Sequence, residues 1–221
     1  MKQQFRIILF LTLLVTGACA QEQKPPFWNE VQSFKKQDSL SFPASGQILL
    51  IGSSSFTMWT DVQTYFPGHP ILNRAFGGSS LPDVIRYAKD IVLPYHPKQI
   101  IVYCGENDLA GDSTVNGEKV YERFKELFEL VRSYYPGIPV AYVSMKPSPS
   151  RRKLLPKMEQ GNRLIKHFMA QQVQTSYIDV YSRMLNPDHS LIGDIYREDS
   201  LHMNKKGYVI WQKIIEPYLV K

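Results

Sequence analysis

The sequence predicts an α/β domain of three layers, α/β/α, built on a doubly wound and mainly five-stranded parallel sheet. Three observations carry that prediction. From Gly46 onward, short apolar runs alternate with longer helical patterns, the rhythm of successive βαβ units. The apolar runs are continuous, as strands covered by helices on both faces require. The 221 residues, 43% hydrophobic and 21% charged, have the balance of one globular domain, with no internal repeat or low-complexity tract.

The strand candidates are Ile48 to Ile51, Ile71 to Asn73, Gln99 to Tyr103, Val140 to Ser144 and Ser176 to Ile178. Between them lie helical stretches at Leu81 to Ile91, Gly117 to Tyr135 and Lys157 to Gln171, and Gly207 to Tyr218 closes the chain. In the second of these helices Val120, Phe124, Leu127, Phe128 and Val131 recur at three- and four-residue steps, which marks one buried face. Pro136, Gly137 and Pro139 end it. Sheets of this class carry their sites at the carboxyl ends of the strands.

The first twenty residues read differently. Lys2 and Arg6 precede the apolar run Ile7 to Val15, and Ala18-Cys19-Ala20 fits the small-x-small pattern of signal cleavage. The run is too short for an ordinary membrane span. Residues 1–20 are therefore expected to be a signal peptide, 21–45 a tether with a short helix over Trp28 to Asp38, and 46–221 the main domain, periplasmic or secreted. Lipidation at Cys19 is the rival expectation, although Thr16-Gly17-Ala18 lacks the usual large aliphatic residue upstream. Cleavage after Ala20 leaves one cysteine, Cys104, in an apolar strand where a buried thiol is expected, and no internal disulfide. It also removes Lys2 and Arg6 and no acid, which lowers the formal charge from +6 to +4. With no long basic run interleaved with aromatics, nucleic-acid binding is disfavoured.

Four segments carry chemistry. Ser54 follows Ile48-Leu49-Leu50-Ile51 and then Gly52-Ser53, and Gly52 allows a sharp turn that lifts the serine above the sheet edge. Ser54 or Ser55 could instead simply cap a helix over Phe56-Thr57-Met58-Trp59. Asn73 to Ser80 contains Gly77-Gly78, whose backbone N–H groups could approach a bound atom; a tight strand-to-helix turn explains them equally. Gly105-Glu106-Asn107-Asp108 follows the third strand, where the Asn107 amide could donate to an oxyanion or close an Asx turn. Asp199-Ser200-Leu201-His202 places a carboxylate three residues before a histidine, so the two can meet on one face of a turn. A serine hydroxyl needs such a base to become a nucleophile.

In order, these segments resemble the four blocks of the SGNH (GDSL-like) hydrolases, over about Gly46 to Lys221 and with the bacterial acylhydrolases related to platelet-activating-factor acetylhydrolase closest in flavour. The resemblance implies an SGNH/flavodoxin-like fold, Ser54 as nucleophile, His202 as base and Asp199 as its orienting acid. It implies an oxyanion hole from the Ser54 and Gly78 N–H groups and the Asn107 side chain. Two positions depart from the pattern. Ser53 stands where GDSL members carry Asp, and Ala75 where many have Gly.

The expected activity is hydrolysis of short acyl esters, acetyl first, on a small molecule or carbohydrate, with no cofactor. A lysophospholipid or other lipid ester, transfer to another alcohol, and an inactive glycan-binding domain are the rivals. No Cys/His cluster has metal-ligand spacing, so no metal is expected. Trp59 could wall a subsite, although an aromatic there is more often core. Lys146 and Arg151, in Lys146-Pro147-Ser148-Pro149-Ser150-Arg151-Arg152, could attract an anionic substrate or simply form a solvated basic loop at the sheet edge. Asp194 is an alternative acid, but lies early for pairing with His202.

Overall fold

The computed structural model describes residues 24–221. Five strands form one sheet in the order β2-β1-β3-β4-β5: β1 (Ile48–Gly52), β2 (Ile71–Asn73), β3 (Gln99–Tyr103), β4 (Val140–Val143) and β5 (Thr175–Ile178). Every pairing is parallel, with Ile48 facing both Ile71 and Gln99, Ile100 facing Val140, and Val140 facing Thr175. β1, β3 and β4 are buried along their whole length, which explains their unbroken apolar sequences.

The strand side chains divide two cores. Leu49, Ile51, Ile100, Val102, Val140 and Tyr142 face a layer made by α1 (Trp28–Leu40), α4 (Leu81–Ile91), α6 (Gly117–Tyr134) and α7 (Leu155–Ala170). Ile48, Leu50, Ile101, Tyr103, Ala141 and Val143 face α2 (Ser54–Thr57), α3 (Val62–Tyr65) and α8 (Lys205–Ile215). A further short helix, α5 (Glu106–Gly111), follows β3. The face predicted for α6 is the one it buries: Val120, Phe124, Leu127, Phe128 and Val131 all lie in the interior. Each such side chain contributes about 1.5–3 kcal/mol by leaving water.

Helix ends follow local chemistry. Asn116 Oδ1 accepts from Lys119 N at the start of α6, and Asn204 Oδ1 accepts from Lys206 N and Gly207 N, so α8 opens earlier than the sequence pattern indicates. Pro156 near the first position of α7 likewise starts that helix before Lys157. α8 gives way to a 3₁₀ turn at Glu216–Tyr218 around Pro217. α1 packs on the main domain through Val31, and its end is fixed by a buried pair of Arg74 with Asp38. Tyr95 donates to Asp38 at 2.5 Å and accepts from Arg74 Nε at 2.9 Å, and burial pushes its hydroxyl up to about 12. The signal-peptide and Cys19 expectations lie outside the described residues.

The strand order reverses direction between β1 and β3, and open α/β sheets bind ligands in the crevice at that reversal. Gly52, which closes β1, sits opposite Tyr103, which closes β3. The two backbones meet so tightly that a Cβ on Gly52 would lie 1.9 Å from Tyr103 O, and Gly52 has φ +124°. Ser53 N then donates to Tyr103 O at 2.9 Å. Gly52→Ala is therefore expected to lower unfolding stability by at least about 2–3 kcal/mol, read by urea denaturation. A near-unchanged midpoint would contradict this packing.

Candidate active site

Ser54 is the first residue of α2, and Ser53 in extended conformation turns the chain out of β1. Neither Ser54 nor Ser55 is the cap of this helix: both lie within it, and Ser53 at the cap position makes no side-chain cap bond. Opposite Ser54 is a short loop pinched by an antiparallel bridge between Tyr196 and Met203. Arg197 N donates to His202 O at 2.7 Å and Ser200 N to Arg197 O at 2.9 Å, and Ser200 takes φ +55° at the tip. That turn brings Asp199 and His202 together, as their spacing predicts.

His202 Nδ1 lies 2.7 Å from Asp199 Oδ2, and His202 Nε2 lies 3.1 Å from Ser54 Oγ, across 148 residues of sequence. Asp199 Oδ1 accepts from the N–H groups of Leu201 and His202, each at 2.9 Å. The hydrogen bond from the His202 ring, with those backbone bonds, holds the Asp199 carboxyl down at about 2. A carboxylate fixed in this way sets the imidazole tautomer with its hydrogen on Nδ1 and leaves Nε2 as a base toward Ser54. Asp194, the alternative acid, instead pairs with Lys206 at 2.7 Å.

The donors expected around the nucleophile converge from three strand ends. Gly77-Gly78 passes directly over Ser54, since a Cβ on Gly77 would be 4.0 Å from Ser54 Cβ; Gly78 has φ +85°. Among the described residues, neither Ser54 N nor Gly78 N has an acceptor, so both N–H groups are available. Asn107, in α5, aims its amide nitrogen at Ser53 Oγ (2.7 Å) and Ser79 O (3.0 Å). Ser53 thus offers Asn107 an acceptor from the position where GDSL members carry Asp. Ser79 itself is buried, with Oγ donating to Gly52 O at 3.0 Å.

Two expectations about substrate contacts change, and Arg151 gains fixed partners. Trp59 is 1% exposed and lies inside an aromatic cluster, stacked on Tyr208 at 4.9 Å with Tyr65 and Phe66 at its edges, so it is core and not a subsite wall. Lys146 is also 1% exposed: its ammonium pairs with Glu106 Oε2 at 3.2 Å and its N–H donates to Glu106 Oε1 at 3.0 Å. The basic loop is therefore anchored at its root, with Ser148 buried too, and only its end is solvated. Arg151 gives its guanidinium to Glu106 O at 2.8 Å and Asn107 Oδ1 at 2.9 Å.

Asp108 went unassigned in the sequence reading although it stands next to Asn107. Its side chain is fully buried, accepting from Leu81 N at 2.9 Å and Arg123 Nη1 at 2.8 Å. It ties the start of α4 and the middle of α6 to α5, and burial raises its carboxyl above its ordinary value. Phe27 was also missed: its ring packs 5.2 Å from Phe76 and reaches within 3.7 Å of a Cβ placed on Gly78. Burial likewise pushes the Cys104 thiol well up, as suits an inert core cysteine. Among the described residues, no group of three or more His, Cys, Asp or Glu side chains is placed to hold a metal ion.

The family model of the GDSL-like lipases and acylhydrolases matches residues 50–210, from within β1 into α8. Among solved structures, a Streptococcus pneumonia protein assigned as a platelet activating factor superposes with TM-score 0.75 at 18% identity, covering 87% of this chain and 92% of that one. A GDSL-like lipase from Bacteroides thetaiotaomicron gives TM-score 0.70 at 18% identity over 86% and 96%. A carbohydrate esterase family 3 protein from Talaromyces cellulolyticus gives 0.61 at 16% over 78% and 95%. At these identities the likeness is one of fold. No curated protein matches the chain.

The Asp199 geometry has a pH consequence. Its carboxyl lies below the ordinary 3.8, so its stabilising contact is fully present above that value and is lost only as pH falls through about 2. Loss of turnover through Asp199 is then expected only in strong acid, as pH falls toward about 2. Asp199→Asn should lower the activity plateau by about 10²–10⁴-fold. A wild-type pH–rate profile with an added carboxylate titration between about pH 3.5 and 5 would contradict this assignment.

Proposed function

From a chain that belongs to the GDSL-like lipase/acylhydrolase family and is an ester hydrolase, we propose an exported serine esterase that removes short acyl groups, acetyl above all, from carbohydrate. The observation that carries the mechanism is the unbroken relay Ser54 Oγ–His202–Asp199, at 3.1 and 2.7 Å. His202 Nε2 takes the Ser54 proton as Oγ bonds to the ester carbonyl carbon. The N–H groups of Ser54 and Gly78 and the Asn107 amide receive the negative oxygen. Collapse breaks the bond to the alcohol, which leaves with the proton from His202. Water then attacks acyl-Ser54, again losing its proton to His202, and Ser54 regains a proton as the acid departs.

Short acyl chains are supported by the surroundings of the nucleophile. Gly77, Gly78, Glu198 and Asp199 are all exposed, so the reacting centre opens onto a polar rim. Such a rim suits a small acyl group on a polar carrier better than a long buried chain. The carbohydrate esterase among the similar folds is consistent with that class. Export is supported by the Lys2/Arg6 start, the apolar run and the Ala18-Cys19-Ala20 site. Among the described residues no helix is long and apolar enough to cross a membrane.

The test is p-nitrophenyl acetate hydrolysis by residues 21–221 beside Ser54→Ala, followed by p-nitrophenyl octanoate and an acetylated xylan. The expected result is a fall of about 10⁴-fold or more in the variant, faster turnover of acetate than octanoate, and acetate release from the glycan. Preference for octanoate would favour the lipid-ester reading. A folded but inert wild type would favour a glycan-binding domain.

A further inference from the structure

An asparagine amide serves an oxyanion only in one of its two orientations. With Nδ2 toward the reacting centre it stabilises negative charge; flipped, it presents Oδ1 and repels it. The two are nearly isosteric, so something else must choose between them. Two partners of fixed polarity flank Asn107. Ser79 O can only accept, and it lies 3.0 Å from Nδ2. Arg151 can only donate, and its Nη2 lies 2.9 Å from Oδ1. Flipping the amide would set donor against donor at Arg151 and acceptor against acceptor at Ser79. Ser53 Oγ, 2.7 Å from Nδ2, is a hydroxyl that tolerates either orientation and makes no choice. It holds the second amide hydrogen, which an oxyanion would take in its place while Ser79 O keeps the first.

Arg151 is itself held in place. Its second nitrogen donates to Glu106 O at 2.8 Å, so the guanidinium spans the two residues that begin α5. At the root of the same loop, Lys146 grips the Glu106 carboxylate through both its backbone and its ammonium. Between them, Pro147 O accepts from Tyr196 OH at 2.6 Å, and Ser150 N donates to Ser200 O at 3.1 Å. Ser200 is the tip of the turn that presents Asp199 and His202. The segment Lys146–Arg151 is thus a strap from the oxyanion side of the site to its acid–base side.

Building on the esterase reading, we propose that Arg151 is a positioning residue, fixing the Asn107 amide with Nδ2 toward the oxyanion, and is not a contact to substrate. Its positive charge on Oδ1 also polarises the amide, which strengthens Nδ2 as a donor. Because Arg151 acts through Asn107, its effect belongs to the transition state and vanishes when Asn107 has no amide.

The experiment is a double-mutant cycle of Arg151→Ala and Asn107→Ala on p-nitrophenyl acetate, with kcat and KM measured separately and Ser54→Ala alongside. Arg151→Ala is expected to lower kcat about 10- to 100-fold with KM little changed, short of the 10²–10³-fold typical for loss of an oxyanion donor outright. In the Asn107→Ala background the same change should cost less than about threefold. Guanidinium added to Arg151→Ala should restore part of kcat, and Arg151→Lys, which serves if the alanine variant does not fold, should fall between wild type and alanine. A raised KM at unchanged kcat, or losses that multiply in the double variant, would overturn the proposal. If Ser54→Ala retains activity, the esterase reading itself fails, independently of Arg151.

Discussion

The seam where β1 meets β3 is the constraint on which the site depends. Parallel pairing of these two strands ends at Gly52 and Tyr103, and the chain can close that approach only because Gly52 has no Cβ. From this point Ser53 and Ser54 leave one strand while Cys104 to Asn107 leave the other. Ser54, the proposed nucleophile, and Asn107, the proposed donor, are therefore neighbours by topology. β2 on the other flank delivers Gly77-Gly78 over Ser54, with Phe76 N donating to Gly52 O at 2.9 Å. Three strand ends thus hold one reacting centre, and only the acid–base pair comes from outside the sheet.

The charges around this seam orient more than they stabilise. Removing Lys146 and Glu106 from water costs energy that their contact only partly offsets, and an apolar pair of similar volume often does as well for stability. What the ions provide is direction: a buried carboxylate with Lys146 N, Lys146 Nζ and Tyr103 OH as partners has few other arrangements. The Asp38–Arg74–Tyr95 group acts in the same way at the end of α1. Asp199 differs, being about half exposed, and its carboxylate is held chiefly by hydrogen bonds from His202 and Leu201.

Much of this was legible in the residues because it is local or periodic. Continuous apolar runs marked β1, β3 and β4, and the three- and four-residue steps of Val120 to Val131 marked the face of α6. The Asp199/His202 pairing could be read because three residues separate them in one turn. α3 and α5 escaped notice, since helices of four to six residues have no periodicity to detect. Lys146 looked like a loop cation because its partner, Glu106, lies 40 residues away, and nothing in the spacing brings them together. The tie of Arg151 to Glu106 and Asn107 was invisible for the same reason, its acceptors being 45 and 44 positions distant. A lone tryptophan after Ser54 gave no means of separating core from subsite until Tyr208 and Trp211 arrived from the end of the chain.

The central claim is that Ser54 is activated by His202 across this seam. It is tested most directly by treating the folded protein with a fluorophosphonate and locating the adduct by peptide mass spectrometry, in wild type and in His202→Ala. The account expects a single phosphonylated residue, Ser54, formed at least about 10²-fold more slowly when His202 is absent. Labelling at another residue, or at Ser54 with equal speed in both proteins, would contradict it.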